Sequence, residues 1–315
     1  MALPAATGML DFRVLPLLRS GGLGAQIRQS VNLLLRETKN EDVIKLRAFV
    51  AGPGDARRVQ SVVSESFSEH KLSLPVLSIV EVGALQDDRA QIAIEATVAA
   101  RKQLNPDGLV FFSGQTGATL DEAIAKLQAS AKLTSAGRIL RCTCFTSRIA
   151  GDGAALRKTM ETAFPDAAST IVQALRDPRD DSSTCEAVGQ GKTASADSAS
   201  PVILVPGARA AVVHADRLVF TGLQLSFGDY LDDAQEAFQR LHRAASAINA
   251  VDAPVQVNAF SPDPSSMAAL RKTTRVPLSI FTVQPVEALP GADASAGVEE
   301  VLAPGVAAPA IQDQQ

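Results

Sequence analysis

Residues 74–100, LPVLSIVEVGALQDDRAQIAIEATVAA, decide the fold of this chain. Two segments within them, Leu77–Val82 and Ala90–Ala99, carry β-branched residues at alternate positions. That period is typical of β-strands. The polar residues Gln86–Asp88 between the two segments predict a turn. The stretch therefore predicts two strands joined as a β-hairpin.

The segments around the hairpin follow an order of helices and strands that occurs three times. Before the hairpin come a strand, a helix, a strand and a helix, at Phe12–Leu18, Gln26–Arg36, Leu46–Val50 and Val59–Phe67. The second occurrence has strands at Gly108–Gln115, Arg141–Thr146, Thr170–Ala174 and Thr184–Val188, and helices after the capping box Thr119/Glu122 and at Leu156–Phe164. The third has strands at Val202–Val205, Leu218–Gln224, Val255–Phe260 and Ser279–Val283, and helices at Ala234–Ile248 and Ser265–Arg271.

Matching phenylalanines support the count of three. Phe49, Phe145 and Phe260 occupy corresponding strands about one hundred residues apart, a normal size for a small domain. We predict an α/β (α+β) fold of three tandem β-α-β-α-β-β units, with the sheets facing a shared barrel-like core and the helices outside. The predicted limits are 1–104 for the first unit, whose N-terminal strands are degenerate, 105–190 for the second, 191–200 for a linker, 201–303 for the third and 304–315 for a disordered tail.

Composition disfavours several classes of partner. The net charge is −4 and only 20% of the residues are charged, so no basic surface for nucleic acid is expected. No segment approaches the roughly 18 uninterrupted apolar residues of a membrane span. The expected partner is a small-molecule ligand.

The cysteines and histidines give expectations about the location of the protein and about metal binding. The odd number of cysteines, three, predicts no disulfide framework and suits a reducing compartment, so a cytoplasmic location is expected. The three histidines have no metal-ligand spacing, so we expect no metal. Gly189–Thr193 does not complete a phosphate loop and Ser20–Gly24 does not complete a dinucleotide-binding motif, so no cofactor is expected either.

The hairpin also resembles the signature hairpin of the Rid (YjgF, endoribonuclease L-PSP-like) family. In that family a similar first strand follows a proline, here Pro75, and the second ends in a run like Ile92–Ala96. The resemblance implies a chorismate mutase-like β-α-β-α-β-β unit that forms homotrimers with ligand pockets between subunits. Three divergent copies in one chain imply an intramolecular pseudo-trimer, so a monomer is favoured over a homotrimer.

The resemblance also implies where a substrate would bind. Imine deaminases of the family hold a substrate carboxylate with an arginine placed before the strand equivalent to Ser78–Val82. The corresponding positions are interpreted as Leu77, Ala168 and Leu278, so no unit keeps the arginine. Arg275, three residues before Leu278, is the candidate replacement.

Two further matches complete the predicted site. The family's acidic residue, which positions the attacking water, is matched by Glu95, Glu186 and Glu300. The segment Ser113-Gly114-Gln115 resembles the family's second-strand motif, and with Ser78 it is assigned to substrate binding.

These matches favour a function without settling whether the protein is an enzyme. The first hypothesis is a small-molecule-binding protein that hydrolyses an enamine, an imine or a related C–N bond with a Glu-positioned water, in a pocket between units. The alternative is a non-catalytic ligand-sensing or protein-interaction scaffold.

Overall fold

The fold was analysed in a computed structural model. It describes residues 2–5, 10–39, 41–53, 55–100, 109–133, 136–149, 153–175, 181–190, 203–205, 210–213, 218–228, 230–247 and 254–303. The predicted linker at 191–200 and the predicted tail at 304–315 lie outside these residues. Among the described residues, no helix has the length and apolarity needed to cross a membrane.

Three mixed β-sheets with the same connectivity form the framework. The strands are β1 (Ala2–Ala5), β2 (Leu10–Val14), β3 (Glu41–Ala51), β4 (Val76–Val82), β5 (Ile92–Ala100), β6 (Leu109–Gly117), β7 (Ile139–Thr146), β8 (Ala168–Gln173), β9 (Ser183–Gln190), β10 (Ile203–Val205), β11 (Ala210–Val213), β12 (Leu218–Thr221), β13 (Gln224–Phe227), β14 (Pro254–Ser261), β15 (Phe281–Pro285) and β16 (Ala294–Leu302). The first sheet has the order β2-β5-β3-β4, and the second has β6-β9-β7-β8 with β1 added beside β6. The third repeats the order with β12 and β13 on β16, then β14 and β15, and adds β10 and β11 beside β12.

Six α-helices in the described ranges connect the strands. They are α1 (Leu23–Glu37), α2 (Ala56–Glu69), α3 (Leu120–Leu133), α4 (Gly153–Ala163), α5 (Tyr230–Ser246) and α6 (Pro264–Thr273). Each sheet carries two of them on one face, and each unit therefore reads β-α-β-α-β-β. The predicted fold class is confirmed. The predicted capping interaction at α3 is present in a shifted form, since the Glu122 amide donates to Thr119 Oγ1 over 3.2 Å, while Glu122 Oε2 accepts over 2.9 Å from the amide of Ala118, one residue before Thr119.

Alternation along the strands separates an outer and an inner core. In the first unit Leu46, Ala48 and Val50 pack against the helices, whereas Phe49 points to the opposite face. Phe49, Phe145 and Phe260 meet at the centre, where the Phe145 ring centroid lies 5.6 Å from that of Phe49 and 6.4 Å from that of Phe260. The three matched phenylalanines therefore join the three sheets in one shared inner core.

Three predicted features differ in the structure. The predicted strand Leu218–Gln224 is two strands, β12 and β13, interrupted at residues 222–223. The predicted strand Ser279–Val283 begins as a short 3-10 helix, Leu278–Ile280, so β15 starts later. The expectation of no disulfide is wrong, because Cys144 and Cys185 are directly opposite on β7 and β9 and form a disulfide, which leaves the buried Cys142 as a free thiol.

Candidate functional site

A layer of charged side chains lies inside the shared core. Lys45 and Arg47 are on β3 and Arg141 is on β7, while the carboxylates Glu95, Glu186 and Glu299 come from β5, β9 and β16. All six residues are at most 6% exposed. Three cations and three anions are thus buried together, an arrangement that is stable only when the charges are paired.

Strand register shows which of these residues correspond between units. Glu95 is opposite Arg47, Glu186 is opposite Thr143 and Glu299 is opposite Asn258, and these partners occupy equivalent positions on β3, β7 and β14. The third matching acid is therefore Glu299. Glu300, which the sequence analysis selected, is paired with Val257 and lies on the helix-facing side of its sheet.

Ion pairs connect the first unit to the second. Arg47 Nε donates to Glu186 Oε1 over 3.0 Å, and Arg47 Nη1 donates to Glu95 Oε2 over 2.9 Å. Lys45 Nζ lies 2.7 Å from Glu186 Oε1. One guanidinium therefore joins a carboxylate of its own sheet to a carboxylate of the next.

The same kind of link continues around the core. Arg141 of the second unit pairs with Glu299 of the third, which also accepts from Thr170 Oγ1 and, over 3.1 Å, from Asn258 Nδ2. The link from the third unit to the first has a neutral donor, because Gln256 occupies the position that Lys45 and Arg141 occupy in the other units. Gln256 Nε2 lies 3.3 Å from Glu95 Oε2.

Burial and pairing move the pKa values of these groups in opposite directions. Burial lowers the pKa of Lys45 to about 8, although the nearby Glu186 acts against this. Burial raises the pKa of Glu186, but Arg47 and Lys45 more than offset it and hold that pKa well below its usual range. Burial and then Arg47 lower the pKa of Arg141 to about 9, so Arg141 stays charged at neutral pH. Lys45 can therefore exchange a proton near neutral pH.

The charged layer surrounds a small chamber of about 30 Å³, enough for one or two water molecules. Three buried polar atoms of its lining residues have no hydrogen-bond partner within the described part of the chain, namely Glu95 Oε1, Glu186 Oε2 and Arg141 Nε. Phe12, Phe111 and Phe220, which hold equivalent positions in the three units, line the same chamber. The chamber thus combines two free acceptors and one free donor with aromatic walls.

The residues at the positions that match the family's arginine, and the candidate replacement Arg275, do not lie together in the structure. Leu77 packs into the core beneath α1 and α2, and Ala168 lies in the inner core. Leu278 is in the 3-10 helix and 56% exposed, and Arg275 is also exposed. Leu77 and Ala168 occupy different registers on their strands, and none of the four residues lines the chamber.

Ser78 and the Ser113-Gly114-Gln115 segment meet at the boundary between the first two units. The Gly114 amide donates to Ser78 Oγ over 3.0 Å, and Gln115 Nε2 donates to the Ser113 carbonyl over 3.0 Å. A Cβ at Gly114 would lie 2.8 Å from Thr184 Cγ2, which explains the glycine. These residues hold the boundary together but are not among those that line the chamber.

Three cations of the layer, Lys45, Arg47 and Arg141, are not among the site residues predicted from the sequence. A signal was present, because Lys45 and Arg47 are two apart within the apolar segment VIKLRAFV and so share one face of a strand. Charges inside an otherwise buried strand require partners on the same side.

No group of three or more metal-binding side chains occurs among the described residues.

Acidification should destabilise the protein through Glu186. Its pKa in the folded protein lies below the ordinary value of 4.5, so its contribution to stability is complete above pH 4.5 and is lost as the pH falls below that value. The wild type should therefore lose stability on acidification relative to Glu186→Gln. We expect the difference between their free energies of unfolding to shrink by more than about 1.4 kcal/mol between pH 6 and pH 3. Urea unfolding at each pH measures this, and parallel curves for the two proteins would contradict it.

Comparisons with known proteins concern the fold. No protein-family model matches the sequence, and no curated protein matches it. A crystal structure of chorismatase matches with a TM-score of 0.56 and 11% identity, covering 96% of this chain and 100% of that chain. This likeness shows a shared overall fold and nothing about activity.

Two further solved structures match with lower TM-scores. Cyanuric acid hydrolase from A. caulinodans matches with a TM-score of 0.49 and 9% identity, covering 97% of this chain and 100% of that chain. The YjgF gene product from E. coli matches with a TM-score of 0.27 and 26% identity, covering 32% of this chain and 87% of that chain.

Proposed function

We propose that this protein is a Rid-like small-molecule-binding protein that hydrolyses a C–N bond of an imine, an enamine or a related compound, in the central chamber. The observation that carries the proposal is the set of free polar atoms in the chamber lining. Glu95 Oε1 and Glu186 Oε2 can each accept a hydrogen bond from one water molecule, and Arg141 Nε can donate to it. A water held in this way keeps one lone pair for attack on a substrate.

The charged residues of the chamber have separate roles in the reaction. Glu186, with its low pKa, is a poor proton acceptor and serves to orient the water together with Glu95. Lys45 lies 2.7 Å from Glu186 and has a pKa of about 8, so its neutral form takes the proton that the water gives up, relayed by the Glu186 carboxylate. The water oxygen adds to the imine carbon as the Lys45 ammonium returns that proton to the imine nitrogen. The C–N bond of the resulting carbinolamine then breaks as its hydroxyl proton passes by the same route to the nitrogen, which gives a carbonyl compound and ammonia.

The size of the chamber sets a condition on the substrate. A volume of about 30 Å³ holds the water but not an organic molecule, so binding requires displacement of the lining. The phenylalanine side of the chamber is the more readily displaced side, because its rings form no ion pairs. Substrate would therefore enter past Phe12, Phe111 or Phe220.

Release of ammonia tests this proposal. The purified chain is incubated with a panel of N-unsubstituted imines and primary enamines generated in situ, and the release of ammonia above the rate without protein is measured. We expect release with at least one compound, and a fall of about 10²-fold or more in Glu95→Gln, which keeps the shape of the side chain but loses a carboxylate acceptor. Glu65→Gln, on the surface of α2, is the control. Equal rates in Glu95→Gln and the wild type would contradict the role of the chamber.

One observation favours the alternative, a non-catalytic ligand-sensing or protein-interaction scaffold. The six buried charges are balanced three to three and link the units to one another, as a purely structural network would. In that case no compound releases ammonia, and the Glu95→Gln variant changes stability alone. A substrate panel with no turnover, combined with a lower free energy of unfolding in Glu95→Gln, would support this alternative.

A further inference from the structure

A second cavity lies at the boundary between the second and third units, away from the charged layer. Its volume is about 440 Å³, within the range of about 300–1,000 Å³ found for ligand pockets. One wall is the first turn of α4 with Arg157, and the other is the segment 286–294 that leads into β16. None of its lining residues belongs to the chamber.

The walls of this cavity are fixed in place. The Gln173 amide donates to the Ala288 carbonyl over 2.9 Å, and the Glu287 amide donates to the Gln173 carbonyl over 2.8 Å, so the segment is pinned to β8. At the other wall a Cβ on Gly153 would lie 2.6 Å from the Pro290 carbonyl oxygen, so the start of α4 touches the segment directly. A cavity with such walls exists before any ligand binds.

The chemistry of the lining selects an anion with an apolar body. Ile149, Pro262 and Leu289 provide apolar surface. Arg157 has no ion-pair or hydrogen-bond partner among the described residues, and it is partly buried. Glu287 also lines the cavity, but its Oε1 is directed to Gly83 of the first unit, where a Cβ would lie 2.5 Å from it. An unpaired guanidinium beside apolar walls matches a carboxylate, which it can bind with two parallel hydrogen bonds.

We propose that this cavity is a binding site for a small monocarboxylate with an apolar body, held at its carboxylate by Arg157. The first turn of α4 adds positive potential at the same wall, because the helix dipole has its positive end there. The site is separate from the chamber, so a ligand here is a second ligand of the protein and not the substrate of the proposed hydrolysis.

Calorimetric titration of the full chain with sodium benzoate tests the proposal. Benzoate combines a carboxylate with an apolar ring, and benzamide is its neutral counterpart of similar shape. We expect benzoate to bind with a Kd below about 10 mM, and benzamide and the Arg157→Gln variant each to weaken binding at least tenfold. No heat of binding up to 10 mM benzoate, or equal affinity in Arg157→Gln, would overturn the proposal.

Two further variants separate the site from general charge effects. Lys158→Gln removes a positive charge from the next residue of α4, whose side chain faces the separate groove between α3 and α4, and should leave benzoate affinity unchanged. Ala154→Leu, at an exposed position of α4, fills the cavity without changing charge and should abolish binding. Equal losses in Lys158→Gln and Arg157→Gln would show that benzoate responds only to the surface charge, and binding that survives in Ala154→Leu would place it elsewhere.

Discussion

Replacing Arg47 by methionine is expected to lower the free energy of unfolding by about 3–5 kcal/mol. Arg47 donates to Glu95 and to Glu186, and its guanidinium carbon lies 5.6 Å from the ring centroid of Phe145. Methionine fills much of the same volume but leaves two buried carboxylates with fewer partners. Chemical unfolding at pH 7 measures the loss.

Two comparison variants identify the cause of this loss. Arg28→Met removes an exposed arginine that pairs with Glu65 and Glu69 on α2, and we expect a change of about 0–1 kcal/mol. Adding Glu95→Gln to Arg47→Met removes the carboxylate that has lost its charged partner, leaves Glu186 paired with Lys45, and should recover part of the stability. If the double variant is no more stable than Arg47→Met, the loss comes from packing around the phenylalanines and not from the buried charges.

Replacing Lys45 by methionine is expected to reduce hydrolysis about 10²–10⁴-fold, the usual contribution of a proton-transfer group. The neutral amine is the proposed proton acceptor. Because its pKa is about 8, the wild-type rate should rise with pH through about 8 and then level off, since the amine below that pH is already protonated. The pH–rate profile of ammonia release measures this.

Lys45→Arg distinguishes proton transfer from charge alone. It retains the positive charge beside Glu186 but cannot lose its proton in the working range, so we expect a loss similar to that of Lys45→Met. Lys126→Met, which removes a surface lysine on α3, is the control and should retain the wild-type rate. A Lys45→Arg rate equal to the wild type, with an unchanged rise near pH 8, would contradict the proposed role.

Much of the fold could be predicted from the sequence because its signals are local. The hairpin at residues 74–100 and most other strands and helices are marked by alternation or helical spacing over a few residues. Phe49, Phe145 and Phe260 were matched from that order, and in the structure they meet in one inner core. The interruption at residues 222–223 and the added strand β1 were missed, because both depend on pairing with distant strands.

The candidate site could be predicted only in part. Glu95 and Glu186 were selected by resemblance, and the structure places both beside the chamber. Glu300 was selected where Glu299 holds the equivalent position. A shift of one residue in register moves a side chain to the opposite face of a sheet, and only the pairing of β14 with β16 fixes that register.

By itself, then, the sequence determined the order of helices and strands and the threefold repetition, because backbone periodicity is set by neighbouring residues. The tertiary structure alone decided which charges meet. Arg47 reaches Glu186 across 139 residues of chain and Arg141 reaches Glu299 across 158. Such contacts depend on how three separate sheets pack around one core, and the spacing of residues along the chain does not predict that packing.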